Sequence, residues 1–343
     1  MRTFLLLLLF ASISNSTHAG SSGFGPFDLP PLGSNEFFRE IPSFIAPSLN
    51  DTSKVKINLS TRVLNSWTYN IESLSDAPFL WDGQDDYPFA HGSFLSDMET
   101  YTVTPRVSYN TGHGIFLEAI IPVVHQTGGF LDRSIEDFHN AFGLGQHHRT
   151  DWVRNDISVV YVHPDGVTTS VFDSNDLRGT FLGNIITGLS YHTNKFMLPF
   201  CFRLLITLPT SDLPVTFDGH GHYTTIQISS LWEKGDFVWY HGAGFTLYEN
   251  SESNGLNLER KRFSMQHTME YRITESLSFL THLVSASAVA DYPQLDKPVV
   301  EITLGFKRKL GKGVFELGII ENLFFFDNSP DIGFHLGYAM TLF

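Results

Sequence analysis

The chain has almost no cysteine. Only one of its 343 residues is a cysteine, so no internal disulfide can form, and cysteine-built zinc or iron–sulfur sites are excluded. Charge is also sparse, at 17% Asp, Glu, Lys and Arg, below the usual quarter. Positive charge is the scarcer sign: 22 Lys and Arg stand against 36 Asp and Glu, a net charge of −14. That balance argues against a nucleic-acid-binding surface. Beyond Ala19 there is no run of about 18 apolar residues, so no spanning helix is expected. What is abundant is apolar and aromatic, 42% and 14% of the chain, with 31 Phe. Such a composition excludes a disordered chain, a collagen and a coiled coil.

The first residues read as a secretory signal peptide. Arg2 supplies the positive start, Phe4 to Ile13 the apolar stretch, and Thr17-His18-Ala19 the small-residue cleavage site. Removing residues 1–19 takes away only Arg2, leaving 21 − 36 = −15. Residues 20–53 are rich in Pro, Gly and Ser, then carry Phe37, Phe38, Ile41, Phe44 and Ile45. They lack a strand period, and their aromatic content predicts docking, either as a plug of the lumen or as a leader. Residues 54–343 form the third division, and they alternate.

The alternation has period two. Val55, Ile57, Leu59, Val63, Trp67 and Tyr69 share one phase, and Lys54, Lys56, Asn58, Ser60, Arg62, Ser66 and Thr68 the other. Phe200, Phe202, Leu204 and Ile206 oppose Cys201, Arg203 and Thr207; Phe263, Met265, Met269 and Tyr271 oppose Ser264, Gln266, Glu270 and Arg272. About twelve such strands follow one another, each near the roughly 9–11 residues that a tilted strand needs to cross a bilayer. Alternation alone does not say which face is wet: a soluble barrel is apolar inside, an outer-membrane barrel outside.

Three features decide for the membrane. Short connections such as Thr111–Gly114, Glu233–Asp236, Thr274–Ser276 and Leu310–Gly313 alternate with long ones, the longest near 71–98 and 125–181. Tyr109, Tyr191, Trp232, Trp239, Tyr271 and Phe306 lie on the apolar phase close to short turns and would form one interfacial girdle. Trp67, Tyr69 and Tyr101 would belong to the opposite one. The polar phase holds full charges of both signs. The expected fold is therefore all-β: a transmembrane antiparallel up-and-down barrel of about twelve strands, preceded by an N-terminal coil segment. An even strand number puts both chain ends at the periplasm, and the chain closes on Phe343 one step out of the apolar phase.

Several stretches point to a family. They are Gly128 to Leu144 (GGFLDRSIEDFHNAFGL), Leu208 to Asp212 (LPTSD), Glu321 to Phe324 (ENLF), Ser329 to Tyr338 (SPDIGFHLGY) and the early Phe24 to Phe27 (FGPF). In this order they resemble a proteobacterial outer-membrane family described only as a domain of unknown function. The resemblance implies a barrel and supplies no activity, ligand or catalytic residue.

Two groups of residues are candidates for function. Arg62, Arg106, Glu118, Arg203, Glu270, Glu301, Lys307 and Glu316 lie on the polar phase and either fill the lumen as pairs or form a selective constriction. Lys307 and Glu316 would face each other across a two-residue turn, and Arg106 and Glu118 fall within a step of each other. The second group lies in the loop at 128–144. There Phe130, Leu131, Ile135, Phe138 and Phe142 have helical spacing, with Asp132, Glu136 and His139 on the other side. An amphipathic helix folded onto the mouth or into the lumen is expected, its apolar face buried. The single Glu136-x-x-His139 pair falls short of a di-metal site, which needs two such motifs. His147-His148, and Asp218 with His220 and His222, read as solvated loop residues. His91-Gly92-Ser93 is a poor match to an outer-membrane lipase.

No cofactor, metal site or catalytic residue is expected. The partners expected are outer-membrane lipids, lipopolysaccharide and the barrel assembly machinery, with no nucleic acid. The expected function is a passive or gated channel for a small solute, apolar ones included. The alternatives are a structural barrel with a filled lumen and a lipid-acting enzyme.

Overall fold

The computed structural model describes residues 23–31, 39–48, 53–70, 93–143, 145–146, 149–151, 153–162, 169–172, 174–214, 221–253, 256–292, 295–324 and 332–342. Along the chain the first strands are β1 (Val55–Asn70), β2 (Phe94–Gly112), β3 (Ile115–Ile120) and β4 (Val123–Thr127). Helix α1 (Asp132–Phe142), the hairpin β5 (Ser158–Val162) and β6 (Thr169–Phe172), and the short helix α2 (Ser174–Leu177) follow. Then come β7 (Gly179–Leu182), β8 (Ile185–Thr193), β9 (Phe200–Leu208), β10 (Tyr223–Lys234) and β11 (Phe237–Tyr248). A small hairpin, β12 (Glu252–Ser253) and β13 (Leu256–Asn257), precedes β14 (Lys261–Thr274), β15 (Leu277–Ala286), β16 (Val299–Leu310), β17 (Gly313–Phe324) and β18 (Ile332–Leu342).

Each long strand pairs antiparallel with its sequence neighbours, and β1 pairs with both β2 and β18, which closes the ring. β3 with β4 makes one crossing and β7 with β8 another, so the wall is a closed barrel of 12 strands, as the alternation predicts. The two split crossings lie side by side. Pro122 cannot donate to a ladder, and the break is stitched by Ile121 N–H to Pro105 O at 3.0 Å and Gly183 N–H to Pro122 O at 2.8 Å. Closure leaves the ring of long strands without an open end, the condition for strands in lipid, while among the described residues β6 and β7 each have a single pairing partner.

The register puts the apolar phase outside. Leu59, Val107, Leu117, Leu204, Ile226, Phe263, Leu304, Ile319 and Leu336 are all exposed, while the alternate polar residues are buried. At the short-turn end Phe237, Tyr271, Phe279 and Phe306 stand in consecutive register. Rings touch along this row, Phe237–Tyr271 at 4.9 Å and Phe279–Phe306 at 5.3 Å, and Trp232 stacks on Trp239 at 4.5 Å just above it. This is an interfacial girdle.

The opposite end departs from expectation. Trp67 is buried, with the Arg149 guanidinium 5.2 Å from its ring centre, rather than standing in a second girdle. Tyr101 stays at the rim, its ring 6.0 Å from that of His125. The reason is that the segment after β4 folds back over the outer face of β1 and β2. Inside the mouth, Phe94 packs with Leu256, Leu258, Val289, Ala290, Tyr292 and Leu295 from the β11–β14 and β15–β16 loops. The Tyr292 hydroxyl lies 2.9 and 2.8 Å from the carbonyl oxygens of Ser93 and Val162 and shares its one hydrogen between them, closing β2 and β5 onto those loops. Ser93 is thus buried in a structural contact, and His91 and Gly92 lie outside the described residues, as do Asp82, Asp85, Asp86, His147, His148, Asp218, His220 and Phe343.

Candidate functional site

The lumen is occupied by the chain's own N-terminal segment. Residues 23–31 and 39–48 have no regular structure, so their backbone groups need partners other than a ladder. The inward side chains of the wall supply them. At the short-turn end Glu270 accepts from Phe24 N–H at 3.0 Å and Gly25 N–H at 3.3 Å, and the Lys307 ammonium donates to Pro26 O at 2.8 Å. At the long-loop end Arg262 donates to Arg39 O at 3.0 Å and Tyr248 to Glu40 O at 2.7 Å. The chain then descends. Gln227 donates to Pro42 O at 2.7 Å, Arg203 to Ser43 O at 2.5 Å and Ser229 to Ile45 O at 2.6 Å. Ser48 N–H donates to His192 at 2.8 Å, back near the short turns where β1 begins. The segment is a loop that climbs the lumen and returns.

Its side chains are anchored as firmly. Asp28 bridges Arg106 at 2.7 Å and accepts from Ser43 at 2.5 Å and Asn58 at 2.8 Å. Phe27 lies edge-on between His335 at 5.3 Å and His282 at 5.9 Å, with the Lys307 ammonium 5.4 Å from its ring centre. Leu29 joins Leu64, Leu280 and Ile320 in an apolar cluster. Phe44 lies against Gly242, where an added Cβ would meet its ring at 2.6 Å. The glycine makes room for the ring.

All eight inward charges named from the sequence are buried, and they divide by partner. Lys307 and Glu316 stand opposite each other, 2.7 Å apart, and His335 lies 3.0 Å from the other Glu316 oxygen. Arg106 and Glu118 are one register step apart yet take different partners, Asp28 for the first and Arg203 for the second. Arg203 grips Glu118 by both oxygens, at 2.7 and 2.5 Å, a bidentate pair. Glu270 holds the segment's start together with Tyr240, whose hydroxyl donates to it at 2.7 Å. Arg62 lines a residual space of about 40 Å³ beside Arg106, room for a few waters. Glu301 is buried within electrostatic reach of Arg262. A larger cavity of about 380 Å³ remains toward the short turns, bounded by Lys56, Ser108, His192, Lys307 and Glu316.

Sequence reasoning missed the other half of this constellation. Asp28, Phe27, Ser43 and Arg39 sit in an aperiodic stretch that carries no strand signal. Gln227, His192, His282 and His335 are on the inward phase, and that phase is the signal that could have found them. The inward Gly242 and Gly244 mark where the wall thins for Phe44.

The mouth-loop residues are placed differently from expectation. Helix α1 docks on the outer face of the barrel, and its buried face is mixed, Leu131 and Ile135 alongside Asp132 and Glu136. Glu99 accepts from Phe130 N–H at 3.2 Å and Leu131 N–H at 3.0 Å, two of the orphan donors before a helix. Asp132 bridges Arg149 at 2.9 Å, and Arg149 donates to Asn65 at 3.0 Å. Glu136 is taken by Arg154, whose guanidinium is held above its usual pKa by that carboxylate, so the Glu136–His139 pair is not arranged as a metal clamp. Leu131 and Ile135 are buried, but Phe130 is 65% and Phe138 48% exposed. The expected burial of the whole apolar face fails because Asp132 and Glu136 take part of the buried side through Arg149 and Arg154, which leaves Phe130 and Phe138 outward beside the exposed Arg133 and Asp137.

Among the comparisons with known proteins, one solved outer-membrane barrel agrees with this architecture at a TM-score of 0.52. A family model described as "Protein of unknown function (DUF3187)" matches residues 6–342. No curated protein matches the chain. Among solved structures, the COG4313 outer membrane channel from Pseudomonas putida F1 is similar with a TM-score of 0.52 at 11% identity, covering 86% of this chain and 97% of that one. The P. putida toluene transporter TodX gives 0.43 at 9% identity, covering 85% and 91%. The β domain of the Bordetella autotransporter BrkA gives 0.41 at 11%, covering 84% and 100%.

Proposed function

This chain belongs to that family of proteins of unknown function, and we propose that it works as a gated outer-membrane channel for a small polar solute, held closed by residues 23–48. One observation supports the reading: residues 23–31 and 39–48 lie in the lumen among the wall's inward side chains and are not part of the strand ladder. Wall and segment meet through hydrogen bonds and ion pairs, including Arg106–Asp28 and Lys307 to Pro26 O. Both described arms reach the short-turn end, the first at Phe24 and Pro26 and the second at Ser48, so the segment would withdraw toward that end. Withdrawal would uncover a lumen lined by Arg62, Arg106, Arg203 and Lys307 against Glu118, Glu270, Glu301 and Glu316. Such a lining of mixed charges favours polar solutes over apolar ones.

The mouth cluster around Phe94 and Tyr292 favours a second reading, a structural barrel sealed at both ends. Planar-bilayer recording separates the two. The full chain is expected to stay closed, and a variant lacking residues 23–48 to show discrete openings and to admit sugars and amino acids in liposome swelling. A deletion variant that folds and still conducts nothing would leave the structural reading in its place. Deleting 128–144 as well tests whether α1 contributes to closure.

A further inference from the structure

The outward phase of β14 contains a pattern that neither the barrel nor the channel uses. Read along the lipid face it runs Phe263, Met265, His267, Met269, Tyr271. Directly across the ladder from His267 stands His241 on β11. Both rings are partly exposed on the outer wall. Their Nδ1 atoms are 2.9 Å apart and their ring centres 5.2 Å. Met265 is 48% exposed and pairs with Ala243; Met269 pairs with Trp239. Two of the chain's 6 methionines therefore flank the histidine pair on one face, one register step above the girdle at the short-turn end.

A polar pair in this belt needs a reason, because the cost of polar groups against hydrocarbon rises with depth. One proton lies between the two Nδ1 atoms, so the accepting ring holds a lone pair that points at its neighbour. When the donating ring takes the other tautomer, its proton carried on Nε2 instead of Nδ1, two neutral, convergent nitrogen donors are left. They need to part only to about 3.4 Å to share one ion at ordinary metal–nitrogen lengths. Thioether sulfur and imidazole together are a soft donor set, and soft sets select monovalent copper. The surroundings select in the same direction. A singly charged ion that requires no water suits an apolar wall far better than a divalent one, whose desolvation costs more.

We propose that His241 and His267, with Met265 and Met269, form a binding site for a single Cu(I) ion on the outer wall at the level of the periplasmic leaflet. The site is independent of the lumen and of whether the barrel conducts.

The test is an anaerobic titration of the full-length protein in detergent with Cu(I) against a chromogenic chelator, followed by X-ray absorption. One equivalent is expected, with both nitrogen and sulfur scatterers. His267→Leu should weaken binding on the order of 100-fold, since even outer partners of a metal ligand are worth 10–100-fold. Met265→Leu with Met269→Leu should weaken it on the order of tenfold and remove the sulfur signal. Leucine is an ordinary lipid-facing residue, so these variants should fold, as heat-modifiable migration equal to the parent would show. Unchanged Cu(I) affinity in a folded His241→Leu/His267→Leu variant would overturn the site. A nitrogen-only shell, or Zn(II) bound as tightly as Cu(I), would overturn the soft-ion assignment.

Discussion

Two stretches dock on the same barrel wall, one inside and one outside, each burying polar and apolar side chains together, and they differ in where their aromatic rings end up. The inner stretch, residues 23–31 and 39–48, buries Phe27, Leu29 and Phe44 together with Asp28, Arg39 and Ser43 and draws charged wall residues around its backbone. The outer stretch, around α1, buries Asp132, Glu136 and Arg149 and leaves Phe130 and Phe138 exposed. Both use wall carboxylates to cap free backbone N–H groups, Glu270 within and Glu99 without. The difference lies in what each side chain faces once docked. Inside, an apolar ring gains by leaving water. Outside, Asp132, Glu136 and Arg149 are buried because each finds a charged or amide partner there, and Phe130 and Phe138 are left exposed.

This contrast can be broken or sharpened by substitution. The largest effect is expected at Arg203. Glu118→Ala strands its guanidinium in the lumen and should cost about 3–5 kcal/mol, because a lone buried charge is left, measured by urea unfolding in detergent. Replacing both partners, Glu118→Leu with Arg203→Met, should restore the stability of the wall while loosening Ser43 and the segment, read as new channel openings. A stable double variant that stays closed would show that the segment is held from elsewhere. Next, Phe27→Ala should cost about 3 kcal/mol, toward the low end for a buried ring, and should speed proteolysis of residues 23–48. A loss no greater than that of Phe130→Ala would erase the inside–outside contrast. Gly242→Leu intrudes on the Phe44 ring and should cost about 1–3 kcal/mol by overpacking, relieved by adding Phe44→Ala. The smallest effect is expected for Phe138→Arg, about 0–1 kcal/mol for a cation at a membrane interface. A penalty well above that would place the helix deeper in the lipid.

The parts that were legible in the chain are those governed by local repetition. Period two assigned each wall residue to a face, so Arg203, Lys307 and Glu316 were recognisable as lumen residues. Lys307 and Glu316 could even be set opposite each other, because a two-residue turn fixes register. The split at Pro122 was not foreseen, though proline on a central strand is its signal. The hairpin of β5 and β6 inside the long second loop also went unseen, since strands of 4–5 residues carry little periodic signal. Trp67 was placed in a girdle by its phase alone. Phase is a property of one strand, and what covers that strand is not.

By itself the sequence determined that this chain closes into a twelve-stranded barrel with lipid-facing apolar stripes, because a repeat of two residues and the length of a crossing are written locally. Only the tertiary structure decided that residues 23–31 and 39–48 occupy the lumen, that α1 seats Asp132 and Glu136 together with Leu131 and Ile135, and that His241 meets His267. Each of these depends on which residues far apart in the chain become neighbours once the ring closes, and no local period encodes that distance.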